Sequence, residues 1–281
     1  MFSVFSVIVF YNPTSNNLNS LHRISQMSSR VFIIDNSETE TSLEQFSRYE
    51  NLTYVWNKIN LGLSAALNIG IKKCIESDDC THIALFDQDS NPDTMMFQNM
   101  YSFLKKSNEG IAAVGPRIID IKHPTTLNFS HFEIVDIAIT SGTLFPRNIF
   151  EKVGLMDETL FIDYIDYEWC LRAKSKHYKI VRVNDALLYH NMGDSSINIL
   201  GIFKPLHVSK IRCYYIIRNQ LIFISRNYIP IKYRFIHLIK LFYRIPAYII
   251  LSNEKIKTFK FILGAFKDFI KNRDEYLQIK Y

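Results

Sequence analysis

Short apolar runs that stop on polar turn residues, and alternate with helix-compatible stretches, constrain this chain more than any other feature. "VFSVIVF" (4–10), "RVFIID" (30–35), "LTYVW" (52–56) and "HIALFD" (82–87) have strand length and read as buried strands, the pattern of a sheet covered on both sides. Between the third and fourth lies "NKINLGLSAALNIGIKKCIE" (57–76), whose small and apolar residues suit a packed helix. This order predicts an α/β fold, a Rossmann-like, mostly parallel sheet flanked by helices. Ligands of such sheets collect outside the carboxyl ends of the strands. Asp35 and Asp87 both stand at such ends, so a shared crevice is expected there. "AAVGPRII" (112–119) and "TSGTLF" (140–145) read as later strands.

The charge is divided unevenly. Residues 1–200 carry 17 Lys/Arg against 23 Asp/Glu, and residues 201–281 carry 16 against 4. A basic, aromatic-rich tail behind an acidic body points to an anionic partner at that end. Within "IKYRFIHLIKLFYRIPAYII" (231–250), Arg234, His237, Lys240 and Arg244 fall on one helical face. Ile256, Phe259, Leu263, Phe266 and Ile270 then form an apolar stripe beside Lys257, Lys260, Lys267 and Lys271. Basic amphipathic helices of this kind lie in membrane interfaces, or pack on a domain and leave their lysines in water. The division expected is a domain over 1–225 and a C-terminal basic amphipathic helical extension over 226–281. Cys74, Cys80, Cys170 and Cys213 show no metal-finger spacing and read as reduced thiols. The opening "MFSVFSVIVFYNP" lacks a basic leader region and reads as a buried first strand. No apolar run is long enough for a spanning helix, so a cytoplasmic protein is expected.

"LFDQDS" (85–90) places two carboxylates, Asp87 and Asp89, after an apolar strand. Extended backbone would point both to one side and Gln88 to the other. Two hard oxygen donors suit Mg2+ or Mn2+ held together with substrate phosphate, although a solvated turn also accounts for such a DxD.

Taken in order, "YNP" (11–13), "DNS" (35–37), "NLGLSAALNIGI" (60–71), "DQDS" (87–90), "SGTLF" (141–145) and "DYIDYEWCLRA" (163–173) closely resemble the family 2 inverting glycosyltransferases with a GT-A fold. They are most similar to the bacterial rhamnosyltransferases of O-antigen and cell-wall polysaccharide synthesis, over about residues 4–225. The resemblance implies that Asp35 contacts the nucleotide base or ribose. Asn60, Gly62 and Asn68 would shape the entrance of the nucleotide-binding helix, and Asp87 and Asp89 would hold the metal and the donor diphosphate. Asp166 would take the acceptor's proton, with Asp163 the neighbouring candidate; the alternative makes Asp163 an N-cap, with Asp166 and Glu168 in a first turn favoured by the helix dipole. His190 in "LLYHNMGDSS" would approach the metal. "RCYYIIRNQ" (212–220) would bring Arg218 to phosphate and Tyr214 or Tyr215 to the acceptor side.

The implied activity is metal-dependent transfer of L-rhamnose from dTDP-L-rhamnose to a lipid-linked saccharide, with the protein peripheral on the cytoplasmic face of the inner membrane. A UDP-hexose or galactofuranose donor is the alternative on the same scaffold. A nucleotidyltransferase would carry a glycine-rich basic loop after the first strand, and "YNPTSNN" has neither Gly nor Lys. A non-catalytic nucleic-acid-binding module would explain the basic tail but not "DQDS" or "DYIDYEW", so no nucleic acid is expected as partner.

Overall fold

The computed structural model describes residues 2–42, 46–107, 110–120, 130–190, 196–199, 202–205 and 209–279. Strand β1 (Val4–Phe10) is buried along its whole length, and α1 (Ser15–Met27) leads from it to β2 (Arg30–Asp35). After β3 (Leu52–Trp56), helix α2 (Leu63–Ile75) crosses to β4 (His82–Asp87). These four strands are parallel, and their register pairs Phe10 with Asp35, Asp35 with Trp56, and Val9 with Asp87. One edge of the sheet therefore collects the strand ends that carry Asp35 and Asp87.

The rest of the sheet is mixed. Beyond β5 (Asn91–Pro92) and α3 (Met96–Lys106) come β6 (Ile111–Asp120), β7 (Phe132–Val135) and β8 (Thr143–Pro146). Strand β8 lies antiparallel between β4 and β6, starting three residues later than the sequence pattern places it. After α4 (Ile149–Val153) and α5 (Ile165–Ser175), β9 (Lys179–His190) joins β6 in parallel. Its other side takes β7 and β5, both antiparallel. Among the described residues the result is a nine-stranded sheet in which β5, β7 and β8 oppose the common direction. Strands β10 (Ser196–Ile199) and β11 (Ile202–Pro205) form a separate antiparallel ladder.

Alternation along the strands feeds two cores. Val7, Val9, Ile34, Ile83 and Leu85 join Leu67 and Ile71 of α2 on one face. Ile8, Phe10, Ile33, Ala84 and Phe86 join Leu21 and Ile24 of α1 and Met96 of α3 on the other. Both faces are covered, which is why these strands read as continuous apolar runs.

The C-terminal region is helical: α6 (Lys210–Ser225), α7 (Ile231–Leu251), α8 (Lys255–Lys271) and α9 (Arg273–Leu277). Leu241 and Tyr248 of α7 and Ile262 and Ala265 of α8 belong to the same core as the first sheet face, so packing continues across residue 226. No helix among the described residues is long and apolar enough to cross a membrane.

The orientation of α7 reverses the reading of its cationic face. His237 is buried and shares a 2.9 Å hydrogen bond with the Tyr164 hydroxyl. Arg244 donates to Tyr164 at 3.1 Å and to Gln220 at 2.8 Å, and Arg234 donates to the Ile224 carbonyl at 2.7 Å. Polar groups of the protein lie under this helix, and buried polar groups require partners. The side that supplies donors therefore faces inward, and Ile231, Phe235, Phe242 and Ile250 are left exposed.

Arg226, between α6 and α7, is buried with its guanidinium against Asp157 and 3.5 Å from Glu168. Glu168 also pairs with Arg172 at 2.8 Å and accepts from the Tyr228 hydroxyl at 2.5 Å. Arg226→Met strips two buried carboxylates of a counter-charge and is expected to cost about 3–5 kcal/mol. Urea denaturation checks this; a loss below about 1 kcal/mol would contradict the weight given to the network.

Candidate active site

At the end of β4 the chain does not stay extended. Residues 88–89 form a turn, closed by the Ser90 amide donating to the Asp87 carbonyl at 3.2 Å. Strand alternation is therefore not what orients Asp89, which is exposed, whereas Asp87 is half-buried. Gln88 is committed elsewhere: its Oε1 accepts from the Tyr11 amide at 2.8 Å and its carbonyl from Asn17 at 3.0 Å. The Asp87 amide donates to the Ser141 hydroxyl at 3.2 Å, and Ser141 also bonds Ser90. The Gly142 amide donates to the Leu85 carbonyl at 2.7 Å. "SGTLF" thus braces the strand end that carries the acidic pair.

Beside it, Asp35 ends β2 fully buried. Oδ1 accepts from the Ser37 amide at 2.8 Å, and Oδ2 accepts from the Tyr54 hydroxyl at 2.7 Å and the Thr41 hydroxyl at 2.5 Å. Burial alone would raise its pKa, but the bonds from Ser37, Thr41 and Tyr54 outweigh burial and hold it below the usual carboxylate value. A carboxylate so engaged organises its own loop. Its neighbour Asn36 reaches the Gly62 carbonyl at 3.0 Å, and the Asn60 side chain caps the Gly62 amide at 2.9 Å. Gly62 has φ +86°, and a Cβ there would lie 2.5 Å from the Phe161 ring, so only glycine fits. Asn60 and Gly62 stand at the start of α2, where Gly62 is the N-cap. Asn68 lies deeper, with its amide spent on Met156 and Glu158 at 2.8–2.9 Å. It is a cross-brace of the fold, with no amide hydrogen left for a nucleotide.

The second acidic segment comes over this edge from α5. Phe161, Asp163 and Tyr164 all have positive φ, between 50° and 69°, a conformation costly for such residues and characteristic of sites that the surroundings over-determine. Asn219 of α6 supplies that restraint. Its amide donates to the Leu160 carbonyl, to Ile162 at 2.7 Å and to Asp163 at 3.2 Å. Phe161 stacks on Tyr215 with centroids 4.5 Å apart.

Asp163 and Asp166 are clearly different. Asp163 accepts two bonds from Arg212, at 3.1 and 3.0 Å. Asp166 is half-buried, and its Oδ1 accepts from the Tyr167 amide at 2.9 Å. Desolvation pushes its pKa up to about 6 against that bond, with the charges of Asp87 and Asp163 adding to the rise. The two acidic segments thus share one electrostatic environment.

Arg218 does not join them. It is buried and donates to the Thr159 carbonyl at 2.6 Å and to Asn219. Its guanidinium lies over the rings of Tyr214, Tyr215 and Tyr276. It fastens α6 to the C-terminal helices. Six residues earlier on the same helix, about 120° round its axis, Arg212 takes the position near the acids. The sequence reading passed over Arg212 and Asn219, although both lie in "RCYYIIRNQ". Strand β9 extends to His190, but the side chain proposed as a metal ligand lies outside the described residues.

Among the described residues no group of three or more His, Cys, Asp or Glu side chains could hold a metal ion. The carboxylates that would hold such an ion are Asp87 and Asp89, near Asp166, whose pKa is raised partly by Asp87. That arrangement fits a hard divalent cation that takes the rest of its shell from phosphate and water.

A family model described as Glycosyl transferase family 2 matches residues 7–162. The chain is 32% identical over 248 residues, 82% of each protein, to a dTDP-rhamnosyl transferase, RfbF, of Shigella flexneri. It is 24% identical over 206 residues, 66% of each, to a low-salt glycan biosynthesis hexosyltransferase, Agl10, of Haloferax volcanii. Among solved structures, S. aureus TarS 1–349 matches with a TM-score of 0.60 at 12% identity, over 98% of this chain and 83% of that one. GalNAc-T7 with UDP, GalNAc and Mn2+ matches with a TM-score of 0.59 at 13% identity, over 99% and 58%. The chain belongs to glycosyltransferase family 2. It is a glycosyltransferase with the GT-A fold, as the motif series implied.

Asp166 also makes a stability prediction. Its folded pKa of about 6 lies above the unfolded 3.8, so the fold favours the protonated acid. The cost is absent below the unfolded value, grows between the two values and is complete once pH has passed about 6. Asp166→Asn is expected to raise Tm at pH 8, by a stability gain on the order of 1–3 kcal/mol, and to leave it unchanged near pH 3.5. Thermal melts across pH check this; an equal effect at both ends would contradict it.

Proposed function

We propose that this glycosyltransferase moves L-rhamnose from dTDP-β-L-rhamnose to a hydroxyl of a lipid-linked saccharide, with inversion, in bacterial surface polysaccharide (O-antigen) synthesis. The observation that carries the chemistry is Asp166: a carboxylate with pKa near 6, beside a second acidic segment at the strand-end edge. A general base works best when its pKa lies near the operating pH, because it is then largely ionised yet still basic. Asp163, held by Arg212, is the weaker candidate for that role. Similarity to a dTDP-rhamnosyl transferase over most of both chains supports the donor.

In this reading the acceptor hydroxyl gives its proton to Asp166 as its oxygen attacks the anomeric carbon, and dTDP leaves from the opposite face. Asp87 and Asp89 would hold Mg2+ or Mn2+, which would offset charge on the departing diphosphate. Enzymes with this fold commonly use divalent metals, and GalNAc-T7 was solved with Mn2+. Gly62 and the loop organised by Asp35 would form the floor on which the nucleotide rests.

The lipid-linked acceptor is supported by the outer face of α7 and α8. Phe235, Phe242, Ile250, Ile256 and Ile270 are exposed beside exposed Lys255, Lys257, Lys260, Lys267 and Lys271. Apolar side chains enter the acyl boundary while lysines meet anionic headgroups, which would keep the enzyme on the cytoplasmic face of the inner membrane. Binding to phosphatidylglycerol vesicles, weakened about tenfold or more in Phe235→Ser/Phe242→Ser, is the expected result of co-sedimentation. Equal sedimentation of wild type and variant would remove the membrane from this reading.

The donor is tested by turnover. Transfer from dTDP-rhamnose is expected to need divalent metal, to fall by about 100-fold or more in Asp87→Asn/Asp89→Asn, and to rise with pH through about 6. Faster transfer from a UDP-hexose or a galactofuranose donor would overturn rhamnose and keep the class.

A further inference from the structure

Arg218 is committed to the fold, which leaves the diphosphate of the donor in need of a fixed positive charge. Asp87, Asp89, Asp163 and Asp166 all belong to the two acidic segments, and an anionic diphosphate would be repelled by them unless cations intervened. A divalent ion held by Asp87 and Asp89 would supply one such charge; the structure contains a second. We propose that Arg212 is the residue that grips the donor's diphosphate and that Asp163 is the positioning residue that aims it. The inference rests on the reading of this edge as a nucleotide-sugar site.

The geometry is specific. Arg212 stands in the first turn of α6, with its side chain 38% exposed. Among the described residues its hydrogen-bond partner is Asp163, which takes the Nε–Nη2 edge in a two-point bond. A guanidinium has five N–H donors in a planar fork, so the Nη1 edge is presented to a second anion while the first stays bound. Asp163 is itself held firmly. Its φ of +65° is kept by Asn219, which binds the carbonyls of Ile162 and Asp163. Backbone strain is thus maintained at the residue that orients Arg212, as expected where placement matters.

Arg212 also senses the acidic strand end. Burial would lower its pKa, but Asp163, with Tyr248 and Asp87 contributing, outweighs burial and raises it. The arginine that faces Asp163 therefore lies within reach of Asp87's field. It is placed to neutralise charge on a diphosphate that approaches β4.

The test is titration with dTDP and dTMP in the presence of Mg2+, on wild type, Arg212→Gln, Arg212→Lys and Asp163→Asn. A clamp on the diphosphate predicts that Arg212→Gln weakens dTDP by about tenfold or more and dTMP by about threefold or less. Arg212→Lys should recover part of the loss, since it keeps the charge and loses the fork. Asp163→Asn should raise KM for the donor more than it lowers kcat, as fits a residue that acts through Arg212. Equal losses for dTDP and dTMP, or unchanged dTDP affinity in Arg212→Gln, would overturn the proposal while leaving the donor site intact. If wild type bound neither dTDP nor dTMP, the reading of the site would fall, and this inference with it.

Discussion

One guanidinium closes the frame on which the site is built. Arg226 meets Asp157 on one side and Glu168 on the other, and the stretch between those acids carries Phe161, Asp163 and Asp166. Arg226 also donates to the Tyr276 carbonyl at 2.9 Å, so the last helices are tied to the same point. Buried charges tolerate little displacement, because each is costly without its partner. The three backbone positions with positive φ can persist between such anchors, and Asn219 holds them from α6. The C-terminal helices are in this sense part of the scaffold that holds the acidic segment. Tyr164, at the end of the strained stretch, bonds both His237 and Arg244 of α7. Burial, together with Lys240 and Arg244, lowers the pKa of His237 to about 4, so it stays neutral there.

Much of the fold was legible because the first four strands are buried on both faces. Their apolar runs, and the turn residues that stop them, have few other solutions. The edge carrying Asp35 and Asp87 followed from parallel order alone. Resemblance in the motif series pointed to the right family, since six short motifs in one order are far more specific than any single DxD. The close approach of Gly62 to Phe161, which explains why glycine stands there, is visible only in the structure.

Individual side-chain roles were harder to read, for physical reasons. A carboxylate at a strand end can face a ligand or bind its own loop, and only the positions of Ser37, Thr41 and Tyr54 decide that for Asp35. Arg212 and Arg218 share a helix, and sequence does not say which of its faces meets the acids. The α7 helix carries the same lesson. Spacing identified its cationic face, but which face turns inward depends on what lies beneath, and here Gln220, Tyr164 and the Ile224 carbonyl call for donors. The apolar side was left to the surface as a consequence.

The central claim is that Asp87, Asp166 and Arg212 serve one site in which a hydroxyl displaces dTDP in a single step. The anomeric configuration of the product tests it most directly. NMR of the isolated glycoside, made from dTDP-β-L-rhamnose, should show an α-rhamnosidic linkage, because one displacement inverts the anomeric centre. A β-linked product would mean two displacements through a covalent intermediate, and would contradict the role assigned to Asp166.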